Sequence, residues 1–190
     1  MSIKESLGQR RSYYDINNQL PVGKEVINQT IEEITELVPD AFNMKSARVV
    51  VAYGKQHEEL WKAIDDAFEG KVPADKIASF AKGAGTILYY YDLSVVEGLQ
   101  QQFPAYAPNF PVWANQANGM LQLSIWSALR ELNIGASVQH YNPVIDRAVA
   151  QLFDIPDHYV LVAQMPFGGI GSEPVAKEKE DIAKRVFIKD

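Results

Sequence analysis

Apolar residues recur at two spacings along this chain, and the alternation between them predicts helices and strands by turns. Val26, Ile27, Ile31, Ile34 and Leu37 fall at helical intervals, so a helix is expected from Gly23 to Leu37. A short helix over Ser2 to about Gln9 precedes it, with Ser2 as N-cap. The run Ala47 to Tyr53 is β-branched and compact and reads as a strand, as does Thr86 to Tyr91 with its three consecutive tyrosines. Between them His57 to Phe68 is helical. The longest apolar helical stretch is Pro111 to Leu132, where Trp113, Ala117, Met120, Leu121, Ile125, Ala128 and Leu132 spread over overlapping faces, a pattern that predicts burial on most sides. Gly135 to His140 and Tyr159 to Met165 read as strands flanking a helix over about Pro143 to Phe153, and Arg185 to Ile188 as a final short strand. Helices and strands interleave without an internal repeat, so the class is an α+β layer fold.

Composition narrows the picture. The chain has 190 residues, 47% hydrophobic and 11% aromatic, which is enough for the core of one domain spanning residues 1–190. A net charge of -6 argues against nucleic acid, whose backbone calls for a basic face, so any anion site must be local. With no cysteine there is no disulfide, thiolate metal site or thiol nucleophile. No stretch approaches the roughly 20 apolar residues of a membrane span, and the start lacks the layout of a signal peptide, so a cytoplasmic protein is expected.

Four polar groupings stand out. Arg10-Arg11 followed by Ser12, Tyr13 and Tyr14 offers two guanidinium forks and hydroxyls, which suits a phosphate, although a solvated basic turn reads the same way. Pro39, Asp40, Ala41, Phe42, Asn43, Met44, Lys45 and Ser46 form a loop between a helix and a strand. There Asn43 has mixed donor and acceptor edges for a heterocycle, or simply caps a turn. Gln139, His140, Tyr141 and Asn142 arrive at a strand end. His140 lacks a serine, cysteine or acidic partner nearby in sequence, and His57, His140 and His158 lack metal-ligand spacing. A glycine turn, Phe167 to Gly171, is followed by Lys177, Glu178 and Lys179, either half of a phosphate clamp or a plain solvated segment.

In this order, and with the wording Phe110-Pro111-Val112-Trp113, Ser137 to Pro143 and Gln164 to Gly169, the segments resemble the nitroreductase family of flavin enzymes. The likeness is to a short branch typified by fatty-acid-repression-mutant-type nitroreductases. It implies a central, mainly antiparallel sheet flanked by helices, and a homodimer with FMN at the subunit interface. By that resemblance Arg10 and Lys177 hold the FMN phosphate with Lys179 in support, Arg11 stands beside them, and Ser12 and Tyr14 line the cofactor. Pro39, Asp40, Ala41, Asn43 and Lys45 come from the neighbouring subunit onto the isoalloxazine, and Gln139, His140, Tyr141 and Asn142 run along its edge. The chain departs from the family with Asp40 where serine is usual and Lys45 where glutamine is usual; a carboxylate there would lower flavin electron affinity and a lysine would raise it.

The activity implied is electron transfer from NADH or NADPH to nitroaromatic, quinone or related small-molecule acceptors. Because the flavin carries the redox chemistry, no obligatory catalytic side chain is named. The alternative is an FMN-bound regulatory or stress-signalling protein whose turnover is incidental.

Overall fold

The structure, a computed structural model, describes residues 2–189. Five strands, β1 (Ile16–Asn17), β2 (Ala47–Tyr53), β3 (Gly85–Asp92), β4 (Ile134–Ala136) and β5 (Tyr159–Ile170), form one sheet in the order β1-β5-β3-β2, with β4 also on β5. All four strand pairings are antiparallel, and the sole parallel element among the described residues is an isolated bridge between Ser12 and Ala136.

Residues of β3 alternate between two cores, as a strand covered on both faces must. Ile87 and Tyr89 pack with Met165 and Phe167 against Ile27 and Ile31 of α2 (Lys24–Leu37) and Leu121, Ile125 and Leu129 of α6 (Phe110–Glu131). Leu88 and Tyr90 face the other way, onto Leu60, Trp61 and Ile64 of α3 (Gly54–Phe68), Ile77 and Phe80 of α4 (Ala74–Ala81), and Val149 of α7 (Asp146–Phe153). The tyrosine run is therefore split: Tyr89 and Tyr90 are buried on opposite faces.

The first helix, α1 (Ile3–Gln9), carries a capping box in which Glu5 N–H donates to the Ser2 hydroxyl and Ser2 N–H to the Glu5 carboxylate. Five sequence expectations change. The expected strand from Gly135 to His140 is confined to β4, because beyond Ala136 the chain touches β5 only through the Gln139–Gln164 bridge. The helix expected from Pro143 begins at Asp146. The glycine turn at residues 167–170 is strand: a Cβ at Gly168 would run into the Asn17 carbonyl and one at Gly169 into the Gln19 carbonyl, so glycine serves close backbone crossing rather than a bend. Arg185 to Ile188 forms no strand pairing among the described residues and lies exposed after a 3-10 turn at Ile182–Lys184. Finally, α6 is covered by the sheet and by α1, α2 and a later helix but keeps one open strip, with Val112, Met120 and Leu123 exposed. Two helices were not anticipated, α4 and α5 (Leu93–Gln102), the latter capped by Asp92 accepting from Ser94 N–H. Among the described residues no helix is long and apolar enough to cross a membrane.

Candidate functional site

After α1 the chain runs extended across the end of β4, where Tyr13 N–H donates to the Ala136 carbonyl at 3.0 Å. This crossing fixes the arm that carries the arginines. The Arg10 guanidinium stacks 4.0 Å from the ring centroid of Trp126, and its Nε is buried without a partner. Burial, with the neighbouring Arg11 charge, pulls its pKa down. Trp126 is itself held, donating from Nε1 to the Ala136 carbonyl at 3.0 Å. Arg11 points the other way, its Nη2 donating to the Val175 carbonyl at 2.6 Å. Tyr13 Oη donates to Glu173 at 2.9 Å and accepts from Arg130 Nε at 3.1 Å. These ties draw the C-terminal segment onto the arm and enclose a cavity of about 380 Å³ lined by Arg11, Ser12, Tyr14, Asp15, Glu173 and Lys177. Lys177 is thus brought to Arg11 and Ser12, whereas Arg10 is aimed at α6; Lys179 is exposed further along.

The segment 139–142 lies along β5. Gln139 and Gln164 exchange both backbone hydrogen bonds, at 2.7 and 3.0 Å. The Gln164 side chain, fully buried, accepts from Tyr141 N–H at 2.8 Å and donates to Asn142 Oδ1 at 3.4 Å, while Asn142 Nδ2 donates to the Leu161 carbonyl at 3.3 Å. His140 is exposed. The Tyr141 ring sits in the core, edge-on to Trp61 and Phe68 at 5.9 and 5.4 Å, so this residue offers its backbone rather than its side chain to the surface.

The loop after α2 is held in an unusual shape. Phe42, Asn43 and Lys45 all have positive φ, at 56°, 50° and 51°, where non-glycine residues are uncommon. Asp40 closes the loop on itself: Oδ2 accepts from Ser46 N–H at 3.0 Å and from the Ser46 hydroxyl at 2.8 Å. One carboxylate oxygen of Asp40 is thus spent inside the loop, and the other, Oδ1, is buried without a partner. Lys45 pairs with Glu36 at 3.8 Å, both largely exposed. A cavity of about 160 Å³ is lined by Pro39, Asp40, Asn43, Lys45 and Arg48, whereas Ala41 packs against the cluster of Met44, Val96 and Phe110.

The structure does not bring this loop to the arginine arm. The loop leads into Ala47, opposite Tyr91 and hence Val160, whereas the arm meets Ala136, opposite Phe167. Seven strand residues separate the two levels, about 23 Å at 3.3 Å per residue. Each half carries an orphaned buried polar atom, Arg10 Nε and Asp40 Oδ1. Taken separately, the arm offers Arg11 and Lys177, beside Asp15 and Glu173, to an anionic group, and the loop offers a mixed donor-acceptor edge. Sequence reasoning missed Trp126, Arg130, Glu173, Gln164 and Arg48. Of these, Gln164 left a trace, a single amide inside the apolar run from Val160 to Phe167.

Comparison with known proteins accords with this arrangement. The model of the family described as "Nitroreductase family" matches residues 7–169. Two Saccharomyces cerevisiae proteins are similar: HBN1, 32% identical over 177 residues (91% of this chain, 90% of that one), and the nitroreductase FRM2, 33% identical over 162 residues (84% and 83%). Among solved structures, the nitroreductase CinD of Lactococcus lactis in complex with chloramphenicol superposes with a TM-score of 0.95 at 36% identity over 100% of both chains, and CinD is also known with 4-nitrophenol. A protein of Exiguobacterium sibiricum in complex with FMN, 14% identical with a TM-score of 0.77 over 100% of this chain and 98% of that one, shares the fold alone. With the family's model matched over most of its length, and its sheet, arm and loop arranged as described, the chain belongs to the nitroreductase family and is an oxidoreductase of that type.

Proposed function

We propose that this protein binds FMN between two copies of the chain and passes electrons from NADH or NADPH to nitroaromatic, quinone or related acceptors. What carries the reading is the cationic arm: in a chain of net charge -6, Arg11 and Lys177 line one cavity at the end of the sheet beside Asp15 and Glu173, and Arg10, with its Nε unpartnered, lies on the same arm against Trp126, which offers charged donors to a phosphate. Ser12 and Tyr14 extend that surface, and Gln139 with Asn142, fixed by Gln164, offers amide groups along β5. A second chain supplies the Pro39–Lys45 loop, whose Asn43 amide and Asp40 Oδ1 meet the polar edge of the ring system. The bound flavin would supply the hydride and electron transfer. The chain's residues bind and orient it and leave one face open to donor and acceptor in turn. Chloramphenicol and 4-nitrophenol, two of the ligands with which CinD is known, both carry a nitroaryl group, which favours acceptors of that class, and a third, nicotinic acid, does not.

Absorbance of the purified protein and its fluorescence on flavin release test the assignment. The wild type is expected to carry FMN, and Arg10→Ala combined with Lys177→Ala to lose about 3 kcal/mol of binding, roughly a hundredfold, from two charge-assisted contacts. An unchanged FMN affinity in the double variant removes the phosphate assignment; a protein that never binds FMN removes the reading.

A further inference from the structure

The strained loop at residues 39–46 is held from outside at two places: Phe42 packs on Phe103, Phe110 and Trp113, and the end that enters β2 is held by a polar network. Three non-glycine residues with positive φ persist only where surrounding structure over-determines them. At the hinge of this loop, the Lys45–Ser46 peptide is gripped at both ends. Its N–H donates to Asp40 Oδ2 at 3.0 Å, and its carbonyl accepts from Arg48 Nη1 at 2.8 Å. The same Arg48 nitrogen also donates to the Ala47 carbonyl at 2.9 Å. The guanidinium is fixed in turn: Nη2 donates to Asp92 Oδ2 at 2.8 Å and Nε to Tyr159 Oη at 3.2 Å.

Asp92 is a rigid anchor. Its side chain is only 7% exposed, its Oδ1 accepts from Ser94 N–H at 3.0 Å as the cap of α5, and its own N–H donates to the Ser46 carbonyl at 2.8 Å. A chain of contacts therefore runs from the core end of β3 through Arg48 to the carbonyl that sets the loop's direction. Arg48 is also a wall of the 160 Å³ cavity formed by that loop.

Resting on the flavin reading above, we propose that Arg48, braced by Asp92, is a positioning residue that holds Asp40, Asn43 and Lys45 in the geometry with which the loop meets the neighbouring subunit's flavin. It acts through the Lys45 carbonyl rather than by touching the reacting atoms. The fork is essential to the argument, because one planar group donates in three directions at once: to two carbonyls, to a carboxylate and to a phenol. A lysine keeps the charge but has a single ammonium, which cannot span them.

Two measurements on the full-length protein test this, with Arg48→Lys and Arg48→Met compared to wild type. The first is trypsin cleavage after Lys45, read by mass spectrometry well below the melting temperature. Both variants are expected to be cut there about tenfold faster or more, the opening expected when one charge-assisted hydrogen bond is lost, while sites in α3 and α7 stay protected. The second is FMN affinity by fluorescence titration, expected to weaken about tenfold or more in both variants on the same grounds, with the lysine giving no rescue. Cleavage at Lys45 as slow as in wild type overturns the proposal, as does full rescue of both readouts by lysine. Arg48→Lys keeps the test decisive should Arg48→Met fail to fold. If wild type binds no FMN, the flavin reading fails while proteolysis still decides whether Arg48 positions the loop.

Discussion

At the scale of single residues, close approach explains more than side-chain chemistry does. Gly168 and Gly169 sit where the backbone at Asn17 and Gln19 crosses β5. A methyl at Gly168 would push against the carbonyl of Asn17, which cannot swing aside as a flexible side chain could. Gly168→Ala is expected to cost about 1–3 kcal/mol, the usual range for overpacking, seen as a fall in melting temperature of about 2–4 °C per kcal/mol for a chain of this size. Gly98→Ala is the control: Gly98 lies in α5 with nothing within 4 Å of a built Cβ, so the helix should gain about 0.5–1 kcal/mol. Equal melting temperatures for the two variants would refute the crossing argument. The same logic shows why these glycines misled sequence reasoning. A glycine pair looks alike whether it bends the chain or lets another strand pass over it, and only the partner, remote in sequence, tells the two apart.

At the scale of elements, what was legible was what repeats locally. Most of α2 followed from helical spacing, and the span of β2 and most of β3 from compact β-branched and aromatic runs, signals that lie within the element itself. The Ser2 cap was legible for the same reason, being a contact three residues long. Of the candidate site, Arg10, Ser12, Asn43 and Lys177 were visible as residue types in order. Gln164, Trp126 and Arg48 were not, since their roles depend on contacts remote in sequence, such as Trp126 with Ala136, Gln164 with Tyr141 and Arg48 with Asp92. Asp40 and Lys45 were visible as departures, but their ties to Ser46 and Glu36 were not. The Asp92–Arg48 link joining β2, β3 and α5 has a pH signature. Burial alone would raise the Asp92 pKa, but the Ser94 hydrogen bonds and the Arg48 charge outweigh it and hold it below the usual aspartate value. A folded-state pKa that is depressed contributes stability fully above the unfolded value of about 3.9, and loses it as pH falls through the folded one. Urea midpoints measured between about pH 6 and pH 2 should therefore fall more steeply in wild type than in Asp92→Asn, with the gap closing below the unfolded pKa of about 3.9. Parallel curves would mean that the pair adds no pH-dependent stability.

At the scale of the whole molecule, three open surfaces point to one arrangement. The outer face of α6 exposes Val112, Met120 and Leu123, more apolar surface than a helix in the middle of a chain ordinarily leaves to water. The edge of β2 is unpaired on the side away from β3, and a groove of about 600 Å³ beside it is lined by Ile31, Val49, Val51 and Tyr53. An unprotected edge of this kind invites another strand. The C-terminal segment supplies a candidate, since Val186, Phe187 and Ile188 are exposed. A two-fold pairing in which each tail lies along the other chain's β2 would cover all three surfaces. It would also close the distance of about 23 Å between arm and loop, computed at 3.3 Å per residue, which a single chain cannot bridge. The expected outcome is a flavin-loaded species of twice 21.2 kDa by light scattering. Removing residues 185–190 should shift it toward monomer and release FMN in the same concentration range, because each buried apolar side chain withdrawn costs about 1.5–3 kcal/mol. Loss of the dimer with FMN retained would separate the two and place the whole flavin site within one chain. A truncated protein that remains a flavin-loaded dimer would leave α6 as the interface and the tail without a structural role, and a wild-type monomer carrying FMN would sink the arrangement altogether.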